Sequence, residues 1–108
     1  MSDKIYSIDE IKHIVAPIAR RYDVDRVFLF GSYARGEANN QSDLDFVIDK
    51  GRLRGLKFAG MLGDLQENFE KSVDLLTSSS LNDFKQQIEK DMVIIYEQYY
   101  RLANLSLF

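Results

Sequence analysis

The sequence predicts an α/β sandwich in which a mixed sheet of three to four strands packs against helices. Segments with apolar residues at helical spacing alternate with short β-branched and aromatic runs, and Gly and Asn separate them. The chain has 108 residues, of which 45% are hydrophobic, and it contains no internal repeat or linker. We therefore expect a single domain over residues 1–108.

The first half of the chain predicts a helix, a strand and a turn. Ser7 and Glu10 have the spacing of a capping box, and apolar residues follow at helical spacing, so we expect a helix over about 8–22. The run Arg26-Val27-Phe28-Leu29-Phe30 predicts a buried strand that ends at Gly31. The polar segment 32–42 that follows predicts a short helical turn and a loop.

The second half predicts two further strands in the core, two helices and an edge strand. Residues 44–49 and 73–77 are the predicted strands, and residues 54–70 between them have helical spacing. Strand, helix and strand in this order predict a parallel crossover. We expect a last helix over about 81–90. Residues 92–96 are either a short edge strand or the end of that helix, and their β-branched residues favour the strand.

Asp43 and Asp45 are the first candidate site residues. On a strand, residues i and i+2 point to the same face, so the two carboxylates should converge. Two negative charges on a half-buried strand are unfavourable unless a cation joins them, and Mg²⁺ accepts carboxylates together with phosphate oxygens. In the alternative interpretation, Asp43 caps a turn and Asp45 faces solvent. The Asp-x-Asp pattern alone does not decide between the two.

Gly31 and Ser32 follow the first predicted strand directly and open a helical turn. Backbone N–H groups at the start of a helix attract phosphate, and Gly permits a close approach of the chain. The alternative is a plain tight turn with a helix cap. The combined pattern is more specific than either motif alone: a strand is followed by Gly-Ser, then by ten residues, and then by Asp-x-Asp on a second strand.

These segments together resemble a known signature. Residues 30–37, Phe-Gly-Ser-Tyr-Ala-Arg-Gly-Glu, and residues 42–48, Ser-Asp-Leu-Asp-Phe-Val-Ile, are similar to the motif of the DNA polymerase beta-like nucleotidyltransferase superfamily. The similarity is greatest to the minimal nucleotidyltransferase (MNT) group and extends over nearly the whole chain. It implies a nucleotidyltransferase fold and a metal-dependent transfer of a nucleotide.

A third carboxylate is expected from both the residues and the resemblance. Asp74 lies in the apolar strand 73–77, where packing does not explain it, and it should project away from its apolar neighbours. A surface Asp on an exposed sheet face is the alternative. The family uses a third carboxylate on a neighbouring strand, and by position this is Asp74.

The resemblance also implies the roles of the site residues. Asp43 and Asp45 would bind two Mg²⁺ ions, and Asp74 would be a further ligand of the ion that faces the acceptor hydroxyl. Gly31 and Ser32 would hold the β- and γ-phosphates of ATP, and Arg35 would contact phosphate or support the loop. Tyr33 departs from the family, in which many relatives carry a basic residue there, so a second phosphate contact is in doubt.

The MNT resemblance further implies a partner protein. MNT proteins pair with HEPN-domain toxins, so we expect an antitoxin that transfers AMP from ATP to a tyrosine of a HEPN toxin. One alternative is an antitoxin that neutralises its partner by binding alone, without catalysis. Another is a small-molecule nucleotidyltransferase of the aminoglycoside-modifying type, although those enzymes usually carry an additional helical domain.

Composition excludes several other classes of protein. The formal net charge is −3, whereas proteins that bind nucleic acid non-specifically usually present a basic surface, so we expect no stable nucleic-acid binding. The absence of cysteine excludes disulfide scaffolds and thiolate metal sites. With no signal-like start and no long apolar segment, a cytoplasmic location without membrane contact is expected.

Overall fold

A four-stranded mixed sheet lies at the centre of the computed structural model, which describes residues 4–49, 51, 53–81, 86 and 90–98. Its elements, in chain order, are α1 (Ile8–Tyr22), β1 (Arg26–Phe30), α2 (Gly31–Ala34), β2 (Leu44–Asp49), α3 (Leu56–Asn68), β3 (Val73–Thr77), a 3₁₀ turn (Ser78–Ser80) and β4 (Val93–Glu97). The strand order is β3-β2-β1-β4. The predicted α/β fold class is confirmed.

The strand pairing explains why the sheet is mixed. β1 is antiparallel to both of its neighbours, β2 and β4, whereas β2 and β3 are parallel. The parallel pair needs a crossover, and α3 provides it, as expected for a strand-helix-strand unit. The prediction of a parallel β2–β3 pair is therefore confirmed.

The main core lies between one face of the sheet and the helices α1 and α3. Alternate residues of the strands are buried against this layer, among them Leu29, Phe46 and Leu75. The helices contribute the apolar residues Ile11, Val15, Ile18, Met61 and Leu65. Side chains at the intervening strand positions project to the other face of the sheet. The predicted site residues Asp45 and Asp74 lie on that second face.

α1 begins and ends where its capping residues predict. Ser7 Oγ accepts a hydrogen bond from the backbone N–H of Glu10, and Glu10 Oε1 accepts one from the backbone N–H of Ser7. Asp23 ends the helix in the left-handed conformation, with φ of 57°. The predicted bounds of this helix are therefore confirmed.

Other elements differ slightly from the sequence-based bounds. α3 is shorter than the predicted 54–70, because Gly55 has a positive φ before it and Phe69 turns to extended backbone so that its ring enters the core. β4 begins one residue later than predicted and lies at the sheet edge, as expected. The helix predicted over about 81–90 lies largely outside the described residues. No described helix is long and apolar enough to cross a membrane.

The capping box of α1 should contribute measurably to stability. We expect Ser7→Ala to lower the free energy of unfolding by about 1 kcal/mol, because the backbone N–H of Glu10 loses the Ser7 Oγ acceptor. Urea denaturation followed by circular dichroism measures this. Lys12→Ala, at an exposed position of the same helix, is the control. Equal unfolding midpoints for the two variants would contradict a role for the cap.

Candidate active site

Asp45 and Asp74 lie side by side on adjacent strands. β2 and β3 are parallel, and Asp45 pairs with Asp74 in their register. On its other side Asp45 pairs with Phe30, the last residue of β1. Val73 and Leu75 are buried on the helix-covered face while Asp74 is exposed, so the two carboxylates project to the opposite face. The structure thus brings together two carboxylates that are separated in the sequence by the whole of α3 and the loops on either side of it.

The pKa of Asp45 depends on this proximity to Asp74. The pKa of Asp45 is raised from 3.8 to about 6, chiefly by burial and then by the Asp74 carboxylate, through charge repulsion and a hydrogen bond with Asp45. Charge repulsion by Asp43 is the smallest contribution to this shift. Asp43 and Asp74 therefore both act on Asp45, and a bound cation would stabilise its ionised form.

Asp43 is placed by a hydrogen-bonded loop. The Asn39 side chain accepts a hydrogen bond from the backbone N–H of Gln41 at 2.8 Å, and Ser42 Oγ accepts one from the backbone N–H of Asn39 at 2.9 Å. The next residue after this turn is Asp43, which is exposed at the entrance to β2. The loop therefore fixes the direction from which Asp43 approaches Asp45.

The turn at Gly31 is packed directly against Asp45. Gly31 has φ of +75°, and a Cβ built on it would lie 2.8 Å from Asp45 Oδ2. Any side chain at this position would therefore displace the carboxylate. Sequence reasoning related Gly31 to phosphate alone, whereas the structure shows that the residue also makes room for Asp45.

The other predicted residues of the turn differ in what they contact. Ser32 is partly exposed beside Gly31, and its carbonyl accepts a hydrogen bond from Glu37 N–H at 2.9 Å. Arg35 is exposed and forms an ion pair with Glu37, with Nε and Oε1 3.4 Å apart. The Tyr33 side chain is buried in the core, and burial raises the pKa of its phenol. Tyr33 therefore anchors the turn and offers no second phosphate contact.

Lys71 is a residue that sequence reasoning did not identify. Its Nζ donates a hydrogen bond to the carbonyl oxygen of Asn40 at 2.7 Å, which ties the start of β3 to the loop before Asp43. The only signal in the sequence is a basic residue three positions before Asp74. A single Lys at a strand entrance carries no pattern from which this contact could be predicted.

The carboxylates do not form a preassembled metal cage. Within the described part of the chain, no three His, Cys, Asp or Glu side chains are grouped so that they could hold a metal ion by themselves. The donors are nevertheless hard oxygen ligands, and Mg²⁺ commonly takes one or two carboxylates with phosphate oxygens and water completing its shell. The arrangement is therefore compatible with a site that a nucleotide completes.

The comparison with protein families decides the identity of this arrangement. The family described as polymerase beta, nucleotidyltransferase, matches residues 12–101, which include α1 from Lys12 onward, the Gly31 turn and all three carboxylates. The chain belongs to this nucleotidyltransferase family.

Relatives of this nucleotidyltransferase are named as protein adenylyltransferases. The protein adenylyltransferase MntA of Thermococcus cleftensis is 34% identical over 80 residues, which cover 69% of this chain and 81% of the relative. A Methanocaldococcus jannaschii protein whose name also refers to protein adenylyltransferase is 36% identical over 77 residues, covering 70% of this chain and 83% of the relative.

Solved structures share the fold of this nucleotidyltransferase. A chain from a toxin–antitoxin crystal structure with AMP-PNP superposes with a TM-score of 0.67 at 20% identity, covering 81% of this chain and 73% of that chain. A mutant of the toxin–antitoxin pair MntA-HpeT superposes with a TM-score of 0.66 at 18% identity, with the same coverage of both chains. At these identities the likeness establishes the fold alone.

The contact between Gly31 and Asp45 can be tested in this nucleotidyltransferase with a matched pair of glycines. Gly31 and Gly36 both have positive φ, but an added Cβ at Gly36 meets nothing within 4 Å. We expect Gly31→Ala and Gly36→Ala each to lower the free energy of unfolding by about 1 kcal/mol, through backbone strain. Only Gly31→Ala should also displace the Asp45 carboxylate from Asp74.

Carboxyl ¹³C NMR measures this displacement as the titration midpoint of Asp45. The midpoint should stay near 6 in Gly36→Ala and fall in Gly31→Ala, because the displaced carboxylate moves into solvent and away from Asp74. An unchanged midpoint in Gly31→Ala would show that the close contact does not hold Asp45 in place.

The raised pKa of Asp45 should make metal-free stability depend on pH. The folded nucleotidyltransferase binds a proton at Asp45 up to pH of about 6, whereas the unfolded chain releases it near 3.8. The free energy of unfolding therefore falls as the pH rises through this window and is constant above it. Because Asp45 is partly exposed, we expect a loss of about 1 kcal/mol after solvent screening.

Asp45→Asn should remove this dependence. The variant should be more stable than the parent above pH 6 and approach it near pH 4, as measured by urea denaturation at each pH in the presence of a chelator. A variant that is less stable than the parent at pH 7 would instead indicate a structural role for Asp45.

Proposed function

We propose that this nucleotidyltransferase transfers AMP from ATP to a tyrosine of a HEPN toxin and so acts as its antitoxin. The observation that carries the proposal is the convergence of Asp45 and Asp74 beside the Gly31 turn. The names of the relatives as protein adenylyltransferases, MntA among them, support a protein acceptor. The toxin–antitoxin complexes that share the fold support a toxin as that protein.

Asp43, Asp45 and Asp74 are the residues that would hold Mg²⁺. Repulsion by the neighbouring carboxylates contributes to the raised pKa of Asp45, and a divalent cation would relieve that repulsion. All three groups are hard oxygen donors of the kind that Mg²⁺ prefers. When bound, the metal ions would neutralise charge on the triphosphate and favour ionisation of the acceptor hydroxyl.

Residues of the chain would orient the phosphates and accept the proton of the acceptor hydroxyl. The N–H groups at the Gly31-Ser32 turn would orient the β- and γ-phosphates, with Arg35 able to leave its exposed ion pair and add a charge. The Asp74 carboxylate would take the proton of the tyrosine hydroxyl. The phenolic oxygen then forms a bond to the α-phosphorus, the bond from that phosphorus to the bridging oxygen breaks, and pyrophosphate leaves with the electron pair.

The test mixes the purified cognate HEPN toxin with Mg²⁺, ATP labelled at the α-phosphate and a trace of this protein. A catalyst should label many equivalents of toxin, because each transfer leaves a covalent mark and releases the enzyme. We expect Asp45→Asn to lower the transfer rate by about 10²–10³-fold. Asp49→Asn is the matched control, since Asp49 lies at the far end of the same strand and pairs with Arg26 at 2.6 Å.

Neutralisation without catalysis would give the opposite result. An antitoxin that acts by binding alone would require stoichiometric protein, would not need ATP and would tolerate Asp45→Asn. Full detoxification by stoichiometric Asp45→Asn without ATP is incompatible with the proposed function.

A further inference from the structure

A lysine just before β3 is bonded to the loop that leads to Asp43. Lys71 Nζ donates a hydrogen bond to the carbonyl oxygen of Asn40 at 2.7 Å, and the two residues are 31 positions apart in the sequence. We propose that Lys71 is a positioning residue, which holds Asp43 where it can share a divalent cation with Asp45. The inference rests on the proposed function and deepens it, because it concerns the metal site that the transfer would use.

The loop before Asp43 is a compact turn. The backbone N–H of Asn39 donates to Ser42 Oγ at 2.9 Å, and Asn39 Oδ1 accepts a hydrogen bond from the backbone N–H of Gln41 at 2.8 Å. The Asn39 carbonyl also accepts one from the backbone N–H of Ser42 at 3.1 Å. These bonds join residues of the loop to one another. They fix the shape of the turn but not its position relative to the sheet.

Two contacts tie this turn to the segment that enters β3. One is the hydrogen bond from Lys71 to Asn40, and the other runs from the backbone N–H of Leu44 to the carbonyl of Ser72 at 3.0 Å. Asp43 lies between the two tied positions of its own segment. Lys71 and Ser72 lead directly into β3. The position of Asp43 relative to the carboxylate on β3 therefore depends on both contacts.

Charge repulsion gives this tie a purpose. Asp43 is exposed, and its carboxylate repels that of Asp45. Asp45 is held by its pairing with strands on both sides, whereas an exposed loop can relieve the repulsion by moving away from the sheet. The hydrogen bond of Lys71 opposes that movement. Lys71 and Asp43 also line the same cavity of about 90 Å³, so the ammonium adds a positive charge on that side of the carboxylates.

A bound Mg²⁺ ion would be sensitive to a displacement of this loop. The ion requires near-octahedral coordination with ligand distances of about 2.0–2.1 Å. Within the described ranges, no three acidic, His or Cys side chains are already grouped as a metal site, so Asp43 must be brought into place when the cation and the nucleotide bind. A loop that is held close to that place loses less entropy on binding.

Two other roles for Lys71 would have different consequences. In one, the ammonium contacts a phosphate of the nucleotide directly, and in the other it supports the fold in general. The bond to the Asn40 carbonyl is present without any ligand and is a charge-assisted contact with the loop itself. This contact favours the positioning role over both alternatives.

The test compares Lys71→Met and Lys71→Arg with the control Lys12→Met. Methionine keeps an apolar stem without a donor, whereas arginine keeps a charged N–H donor. Lys12 is exposed on α1, so its replacement removes the same charge outside the loop. Two quantities are measured. One is amide hydrogen exchange by NMR in the metal-free protein, and the other is the Kd for Mn²⁺ by EPR with saturating α,β-methylene-ATP, an analogue that cannot transfer AMP.

We expect Lys71→Met to raise the exchange rates of the Gln41 and Ser42 amides at least about fivefold relative to Lys12→Met, because the loop opens more often. Amides of β1 and β2 should exchange at the same rate in both variants. The Kd for Mn²⁺ should also rise at least about fivefold in Lys71→Met, a change of about 1 kcal/mol. Lys71→Arg should return both quantities to within about twofold of the parent, since a charged donor is restored.

Three results would overturn the proposal. The first is an equal Kd for Mn²⁺ in Lys71→Met and Lys12→Met. The second is a weaker affinity with unchanged exchange in the loop, because Lys71 would then contact the nucleotide directly. The third is faster exchange throughout β1 and β2 in Lys71→Met, which would show that Lys71 supports the whole fold.

Failure of the proposed function would look different. If the parent protein binds no Mn²⁺ with the nucleotide analogue, the metal site fails and the role of Lys71 fails with it. If the parent binds Mn²⁺ but transfers no AMP to the cognate HEPN toxin, the proposed function alone is refuted. Transfer by the parent together with equal Mn²⁺ affinity in Lys71→Met and Lys12→Met would refute the role of Lys71 alone.

Discussion

Phe30, Asp45 and Asp74 occupy one row across three neighbouring strands, and their alignment depends on the hydrophobic face beneath them. Side chains of a strand alternate between faces, so a slip of β2 by one residue would turn the Asp45 carboxylate into the helix-covered core. The apolar residues Leu44 and Phe46, on either side of Asp45, are fully buried in that core and hold the strand against such a slip. The packing of one face of the sheet thus determines the chemistry of the other.

The row places like charges together in the absence of a cation, and the fold tolerates the resulting repulsion. Asp45 responds by retaining a proton to pH of about 6, because burial and the neighbouring Asp74 both disfavour its ionised form. Gly31 adds a steric constraint, since only a residue without Cβ leaves space for the Asp45 carboxylate. Natural proteins accept such local strain where a site requires it, and packing elsewhere compensates.

The site has two sides that are supported by different parts of the fold. On the β1 side, the buried Tyr33 anchors the Gly31 turn to the core. On the β3 side, the Tyr6 ring packs edge-on against Phe69, and the Lys71–Asn40 hydrogen bond ties the loop before Asp43 to the start of β3. Tyr6 and Tyr33 belong to the same buried cluster, so both sides rest on one continuous core.

Local patterns in the sequence were sufficient for the features that depend on neighbouring residues. The reciprocal bonds of Ser7 and Glu10 define the start of α1, and the two-residue spacing of Asp43 and Asp45 places one just before β2 and the other within it. Asp74 was predicted to project from its strand, but only the parallel register of β2 and β3 puts it opposite Asp45. The approach of Gly31 to Asp45 and the bond from Lys71 to Asn40 likewise appear only in the folded chain. These contacts join residues far apart in sequence, and their geometry depends on strand register and core packing, which no local spacing encodes.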